Sequence, residues 1–190
     1  IAGRAANERA VPIVLDPVGA GATRLRTETN LRLLNELKIA VVRGNSGEIG
    51  ALSGAGGEVR GVESVEGVDD PIAVARAAAK EWGAVVAITG KRDVISDGER
   101  VLGVDNGHEW LTTTTGTGCM ATTAIAAFAA VEPDYLVAAA GALACYGLAA
   151  ELAAERADGP ASFKVALLDA IYGLTSEQVS EGARVVQLGG

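Results

Sequence analysis

An α/β fold, with a mostly parallel central sheet flanked by helices, is what this sequence predicts, and three observations predict it. Short apolar runs, Val11-Pro12-Ile13-Val14-Leu15, Ile39-Ala40-Val41-Val42 and Ala84-Val85-Val86-Ala87-Ile88, are separated by segments of helical periodicity. Each run stops in a polar, glycine-containing turn: Asp16-Pro17-Val18-Gly19-Ala20-Gly21, Arg43-Gly44-Asn45-Ser46-Gly47-Glu48 and Thr89-Gly90-Lys91-Arg92-Asp93. Hydrophobic residues make up 49% of the chain but aromatics only 4%, and there are 25 glycines, so the core is built from Ala, Val, Leu and Ile and the turns are tight.

The 190 residues suffice for one domain with a real core. A net charge of -8 without any Lys/Arg cluster excludes the electrostatic footprint of a nucleic-acid binder. Cys119 and Cys145 lack both a disulfide framework and metal-ligand spacing, which predicts a reducing cytoplasm. The apolar stretch from Ala121 to Ala150 is interrupted at Glu132-Pro133-Asp134. Neither half reaches the roughly 20 uninterrupted apolar residues of a membrane span, so two buried helices are expected. No signal peptide is visible, and the chain starts at Ile1 with residues that read as the end of a helix.

Taken in order, the first strand is followed by a helix with Thr27 as its expected cap and Leu31, Leu33, Leu34 and Leu37 on its apolar face. After the second strand, Ser46 can cap a short helix to Leu52. Asn45 and Glu48 then have two readings, a cap with its favourable acid or a magnesium site. Gly54 to Asp70 reads as a surface loop, and Asp70-Pro71 opens a helix through Trp82. Asp97-Gly98 marks a hairpin, Asn106-Gly107 a turn, and the single histidine, His108, a loop residue. The second alanine-rich helix is expected through Arg156, an amphipathic helix over 163–174 carrying Phe163, Val165, Leu167, Leu168 and Ile171, and a last short helix over 176–186.

Strand ends are where open α/β sheets bind ligands, so Asp16 is read as a functional carboxylate or as a turn aspartate before Pro17. Thr115-Gly116-Thr117-Gly118-Cys119-Met120 joins a threonine run to a helix through two glycines. Backbone without Cβ can approach a ligand closely, and the first N–H groups of a helix have no helical partner. With the helix dipole this makes an anion hole over Gly116, Thr117, Gly118 and Cys119. Cys119, in the first helical turn, is a candidate nucleophile or base, or simply a core residue.

Together, Val14-Leu15-Asp16-Pro17-Val18-Gly19-Ala20-Gly21-Ala22-Thr23, Arg43-Gly44-Asn45-Ser46-Gly47-Glu48-Ile49, Ile88-Thr89-Gly90, Asn106-Gly107-His108, Thr115 to Met120, and Gly159-Pro160-Ala161-Ser162-Phe163 with Ala166-Leu167-Leu168-Asp169 resemble the hydroxyethylthiazole kinases in order and spacing over nearly the whole chain. The resemblance implies a ribokinase-like fold in a single domain, 1–190, lacking the family's N-terminal βα portion. It implies transfer of the ATP γ-phosphate to the alcohol of 4-methyl-5-(2-hydroxyethyl)thiazole in thiamine biosynthesis or salvage, with magnesium, by a homotrimer whose sites lie between subunits. By position, Cys119 is the catalytic residue, Arg43 and Thr89 bind ATP, Gly116 binds the thiazole, and Asp16, Glu48 and Asn45 serve the metal. Lys91 and Arg92 are either nucleotide contacts or surface charge. The rival readings are another ribokinase-like enzyme, such as a hydroxymethylpyrimidine kinase, against which Cys119 argues, and an inactive nucleotide-binding fragment. No G-x-x-x-x-G-K-[ST] and no G-x-G-x-x-G after the first strand occur.

Overall fold

In the computed structural model, which describes residues 1–54 and 70–189, six strands form one sheet in sequential order. β1 (Val14–Leu15), β2 (Val41–Asn45) and β3 (Val85–Thr89) run parallel. β4 (Asp93–Ser96), β5 (Val101–Val104) and β6 (Val185–Gln187) continue the sheet antiparallel. The mostly parallel sheet expected from sequence is thus parallel only across β1 to β3. Helices supply the crossovers there, whereas the tight turn at Gly98, where φ is +98°, forces β4 and β5 antiparallel.

Alternation along the strands divides the core in two. Val42, Val86, Ile88, Val94 and Val101 face Ile49 of α3 (Ser46–Leu52) and Ala75, Ala78 and Ala79 of α4 (Pro71–Trp82). Val41, Val85, Ala87, Ile95 and Val104 face the other way, onto Ala121 and Ile125 of α5 (Thr117–Ala129), many residues of α6 (Tyr135–Ala154), and Phe163 and Leu167 of α7 (Pro160–Gly173). The result is an α/β/α sandwich. Alanine-rich helices pack close to such a sheet because their side chains are short.

Several elements differ from their sequence expectation. The helix after β1, α2 (Arg24–Glu36), is capped by Thr23, whose side chain accepts the Arg26 N–H. Thr27 lies in its first turn instead, accepting the Gly21 N–H at 2.9 Å. Asn45, not Ser46, caps α3. Asp134 caps α6, which has 20 residues and is long and apolar enough to cross a membrane by length and composition, longer than the sequence break suggested. Yet 72% of its most apolar window is buried in the fold, as in a core helix. On α7 only Phe163, Leu167 and Ala170 are buried, while Val165, Leu168 and Ile171 face outward. The last helix, α8 (Ser176–Gly182), ends early and the chain turns into β6. The cause is Asn106: its amide donates to the Gly182 carbonyl at 2.9 Å and accepts the Arg184 N–H at 2.6 Å. The chain starts with α1 (Ala2–Glu8), and the surface loop expected from Gly54 to Asp70 lies, beyond its ends, outside the described residues.

Candidate active site

The parallel strands bring the polar turns to one rim, and the pleat decides which side chains share a face. Val41 and Ala87 lie on the α5/α6 face, so Arg43 and Thr89, each two residues further along, emerge on that face too. Asp16, two residues past Val14, follows the same rule. Arg43 Nη2 donates to Thr89 Oγ1 at 2.7 Å, and its Nη1 lies 3.7 Å from Asp16 Oδ2. Both charged side chains are largely enclosed, at 13% and 15% exposure. Arg43 Nε is buried without a hydrogen-bond partner. A guanidinium so enclosed, with donors unspent, suits an anion arriving from the open side.

α5 supplies the opposite wall. Gly116 sits at φ +96°, a left-handed conformation that lets the threonine run turn into the helix. The first backbone bond that reaches back to this turn is from the Met120 N–H to the Gly116 carbonyl, at 3.0 Å, so the N–H groups of Thr117, Gly118 and Cys119 precede the helical ladder. Thr117 is buried and fastens the turn through its hydroxyl, which reaches the Leu111 carbonyl at 2.7 Å. A Cβ on Gly118 would lie 2.8 Å from Arg43 Nη1, so this glycine is what lets the guanidinium pass beneath the helix end. Cys119 is exposed and free.

One turn further along α5, Thr122 Oγ1 donates to Asp16 Oδ2 at 2.8 Å. Above Arg43, the Tyr146 hydroxyl donates to the Thr117 carbonyl at 2.9 Å. Burial pushes this phenol up to about 12, with the Arg43 charge pulling it down.

Glu48 joins two rim loops. Its Oε1 accepts the Gly19 N–H at 2.9 Å and its Oε2 the Asn45 N–H at 3.0 Å, while Asn45 Oδ1 accepts the Glu48 N–H at 2.9 Å. This is the capping reading of Asn45 and Glu48, realised in full, and it leaves lone pairs on both carboxylate oxygens. Among the described residues no group of three His, Cys, Asp or Glu side chains is placed to hold a metal. Magnesium needs no such cage, because it is commonly held through one or two carboxylates plus substrate phosphates. Asp16, just past β1, and Glu48, in the first turn of α3 just past β2, are carboxylates of the kind that mode uses.

His108 is engaged by its own turn, and Lys91 and Arg92 lie in the connection between Thr89 and Asp93. His108 Nδ1 accepts the Trp110 N–H at 3.2 Å, capping the short 3-10 turn Glu109–Thr112, and its ring stands edge-on to Trp110. Arg92 makes a double ion pair with Asp105 at 2.6 and 2.8 Å, and Lys91 is exposed.

Three members of the site were not singled out from sequence, Thr122, Tyr146 and Asp93. Asp93 opens β4, is 8% exposed, and accepts the Gly90 N–H through Oδ1 at 3.0 Å. Burial pushes its carboxyl up to about 6, opposed by the Gly90 bond and the Arg43 charge. The available signals were spacing alone: Thr122 stands four residues after Gly118, and Asp93 immediately precedes an apolar run. Among the described residues, cavities of about 280 and 560 Å³ lie against α1 and at the opposite ends of the strands, and neither includes a rim residue.

A family model for hydroxyethylthiazole kinases matches residues 1–177. The hydroxyethylthiazole kinase of Roseiflexus sp. (strain RS-1) is 72% identical over 189 residues, which cover 100% of this chain and 70% of that protein. That of Desulforudis audaxviator (strain MP104C) is 71% identical over 188 residues, 99% of this chain and 69% of its own length. A solved hydroxyethylthiazole kinase protein from Pyrococcus horikoshii OT3 superposes with a TM-score of 0.87 at 42% identity, over 99% of this chain and 70% of that one. Pyridoxal kinase from Staphylococcus aureus, 21% identical with a TM-score of 0.51 over 75% of this chain and 54% of its own, shares the fold alone, which is ribokinase-like. With its rim, its glycine turn and this likeness over its whole length, the chain belongs to the hydroxyethylthiazole kinase family.

Proposed function

We propose that phosphoryl transfer takes place between Arg43 and the N-terminus of α5. The reaction itself comes with the family: a phosphotransferase that phosphorylates the alcohol of hydroxyethylthiazole at the expense of ATP. A hydroxymethylpyrimidine kinase and an inactive fragment are correspondingly disfavoured. The observation that carries the placement is the enclosed Arg43, held by Thr89 at 2.7 Å and passing under Gly118 at the N-terminus of α5.

Phosphoryl transfer asks a protein mainly to position groups and to neutralise charge. Arg43 passes beside Gly118 at the start of α5, so its guanidinium and the N–H groups of Thr117, Gly118 and Cys119 are neighbouring electropositive groups. Arg43, oriented by Thr89, faces the ATP phosphates. Gly116 leaves room for the thiazole beside the turn. Cys119, exposed in the first turn of α5, is placed to accept or orient the proton of the alcohol as its oxygen attacks. Asp16 and Glu48, with Asn45 holding Glu48, are the residues that would bind magnesium, which neutralises the triphosphate when bound.

The whole chain acts as one kinase domain in this reading, serving thiamine biosynthesis in a reducing cytoplasm that suits its free thiols. Assembly as a homotrimer with sites between subunits is part of the proposal. The outward row of Val165, Leu168, Ile171 and Tyr172 on α7, 41 to 95% exposed, supports a partner surface.

The test is ATP turnover in magnesium with and without the thiazole alcohol, with the product phosphate located by 31P NMR. Thiazole-dependent ADP formation and a phosphomonoester on the side-chain oxygen are expected. Thiazole-independent hydrolysis as the sole activity would contradict the reading.

A further inference from the structure

We infer that Asp93 is a positioning residue for the nucleotide side of the site, holding the Thr89-Gly90 turn and the charge of Arg43 in place. Strand register places it there. Ile88 pairs with Val94 and Ala87 with Ile95, so Asp93 stands opposite Thr89, on the same face as Ile95 and Val104. Along the rim on that one face the order is Asp16, Arg43, Thr89, Asp93, a row of polar side chains across four neighbouring strands. Through Oδ1 the carboxylate closes the connection from β3 to β4 by accepting the Gly90 N–H at 3.0 Å, and so sets the turn that directly follows Thr89.

A hairpin connection needs no buried charge for this. An asparagine accepts the same N–H, and a carboxylate at 8% exposure is expensive to ionise. What a carboxylate adds is a counter-charge within range of Arg43, whose own ion pair with Asp16 is long at 3.7 Å. With carboxylates on both sides, the guanidinium stays seated on Thr89 when the site is empty, and it is already aligned when phosphates arrive. Burial also pushes the Asp93 carboxyl up to about 6, so the charge is in place at neutral pH.

This inference rests on the assignment of Arg43 and Thr89 to ATP, and the experiment separates the two. The dissociation constant of β,γ-imido-ATP with magnesium is measured by calorimetry for the purified parent, Arg43→Ala, Asp93→Asn, Asp93→Ala and the double variant Asp93→Ala/Arg43→Ala. Asp93→Ala is expected to weaken nucleotide binding about tenfold and Asp93→Asn about threefold, with unchanged KM for the thiazole and no fall in melting temperature for Asp93→Asn. In the Arg43→Ala background Asp93→Ala should add less than twofold. If Arg43→Ala weakens binding but Asp93→Ala does not, or if the two effects simply multiply, the positioning role is wrong. If Arg43→Ala itself leaves binding unchanged, the nucleotide assignment fails and takes this inference with it.

Discussion

The Thr122 hydroxyl donates to Asp16 Oδ2 at 2.8 Å, tying the end of β1 to the second turn of α5 across 106 residues of sequence. Asp16 is therefore aimed by the same helix whose N-terminus is the proposed anion hole. Thr122→Val keeps the shape and removes the donor. A hydrogen bond to a charged group contributes about 1.5–3 kcal/mol, so about a tenfold loss of kcat is expected together with a fall in melting temperature of a few degrees. Steady-state kinetics and a thermal melt of this variant check it, and unchanged kcat would separate Asp16 from the reaction.

Gly118 is required for space. Gly118→Ala puts a Cβ 2.8 Å from Arg43 Nη1, and Arg43 is pinned to Thr89 at 2.7 Å. The guanidinium must swing off Thr89, so the KM for ATP should rise about tenfold or more. The fold should tolerate a helix-favouring alanine. Circular dichroism and ATP titration of kinase activity distinguish the two effects.

Asp93 gives a signed pH dependence. Its carboxyl moves from an ordinary 3.8 in the unfolded chain to about 6 in the fold. Between these values the native state keeps a proton that the unfolded state has lost, so this contribution to stability is present below pH 3.8 and disappears as pH rises through about 6. Asp93→Asn removes the penalty and should exceed the parent by about 3 kcal/mol at pH 8, with no gain at pH 3.5. Urea denaturation of both proteins at the two pH values gives the difference directly. A pH-independent difference would contradict the assignment.

Asn106 shows how a stretch that reads like a turn can serve as a staple. It is 5% exposed, and its amide satisfies both the Gly182 carbonyl and the Arg184 N–H. Asn106→Ala leaves two backbone groups unpaired and should destabilise the protein by about 2–3 kcal/mol. The urea midpoint should fall while the KM for ATP stays near that of the parent.

Much of this site was legible because strand ends and glycine turns are local signals. Asp16, Arg43, Asn45, Glu48 and Thr89 each end or follow an apolar run, and the turn from Thr115 to Met120 announces itself. Hidden from the sequence were relations set by register and long-range contacts. Asp93 became part of the rim only when the antiparallel pairing of β4 with β3 set it opposite Thr89. Thr122 became part of it only when α5 packed on β1. The same limit explains the fold errors: the periodicity after Ser176 continues past Gly182, but Asn106, far away in sequence, pulls Arg184 into the edge of the sheet. On α7, spacing identified Val165, Leu168 and Ile171 as apolar without revealing that they face out.

The most direct test of the central claim, that the first turn of α5 is where the alcohol is activated, is the turnover rate of Cys119 variants under saturating ATP and thiazole. A carboxylate at this position would carry its charge at neutral pH and could accept the proton of the alcohol directly. Cys119→Asp should retain or raise turnover, and Cys119→Ala should lower it by about tenfold or more, within the range of general acid-base contributions. A Cys119→Ala enzyme that matches the parent rate would show that the proton of the alcohol is handled elsewhere.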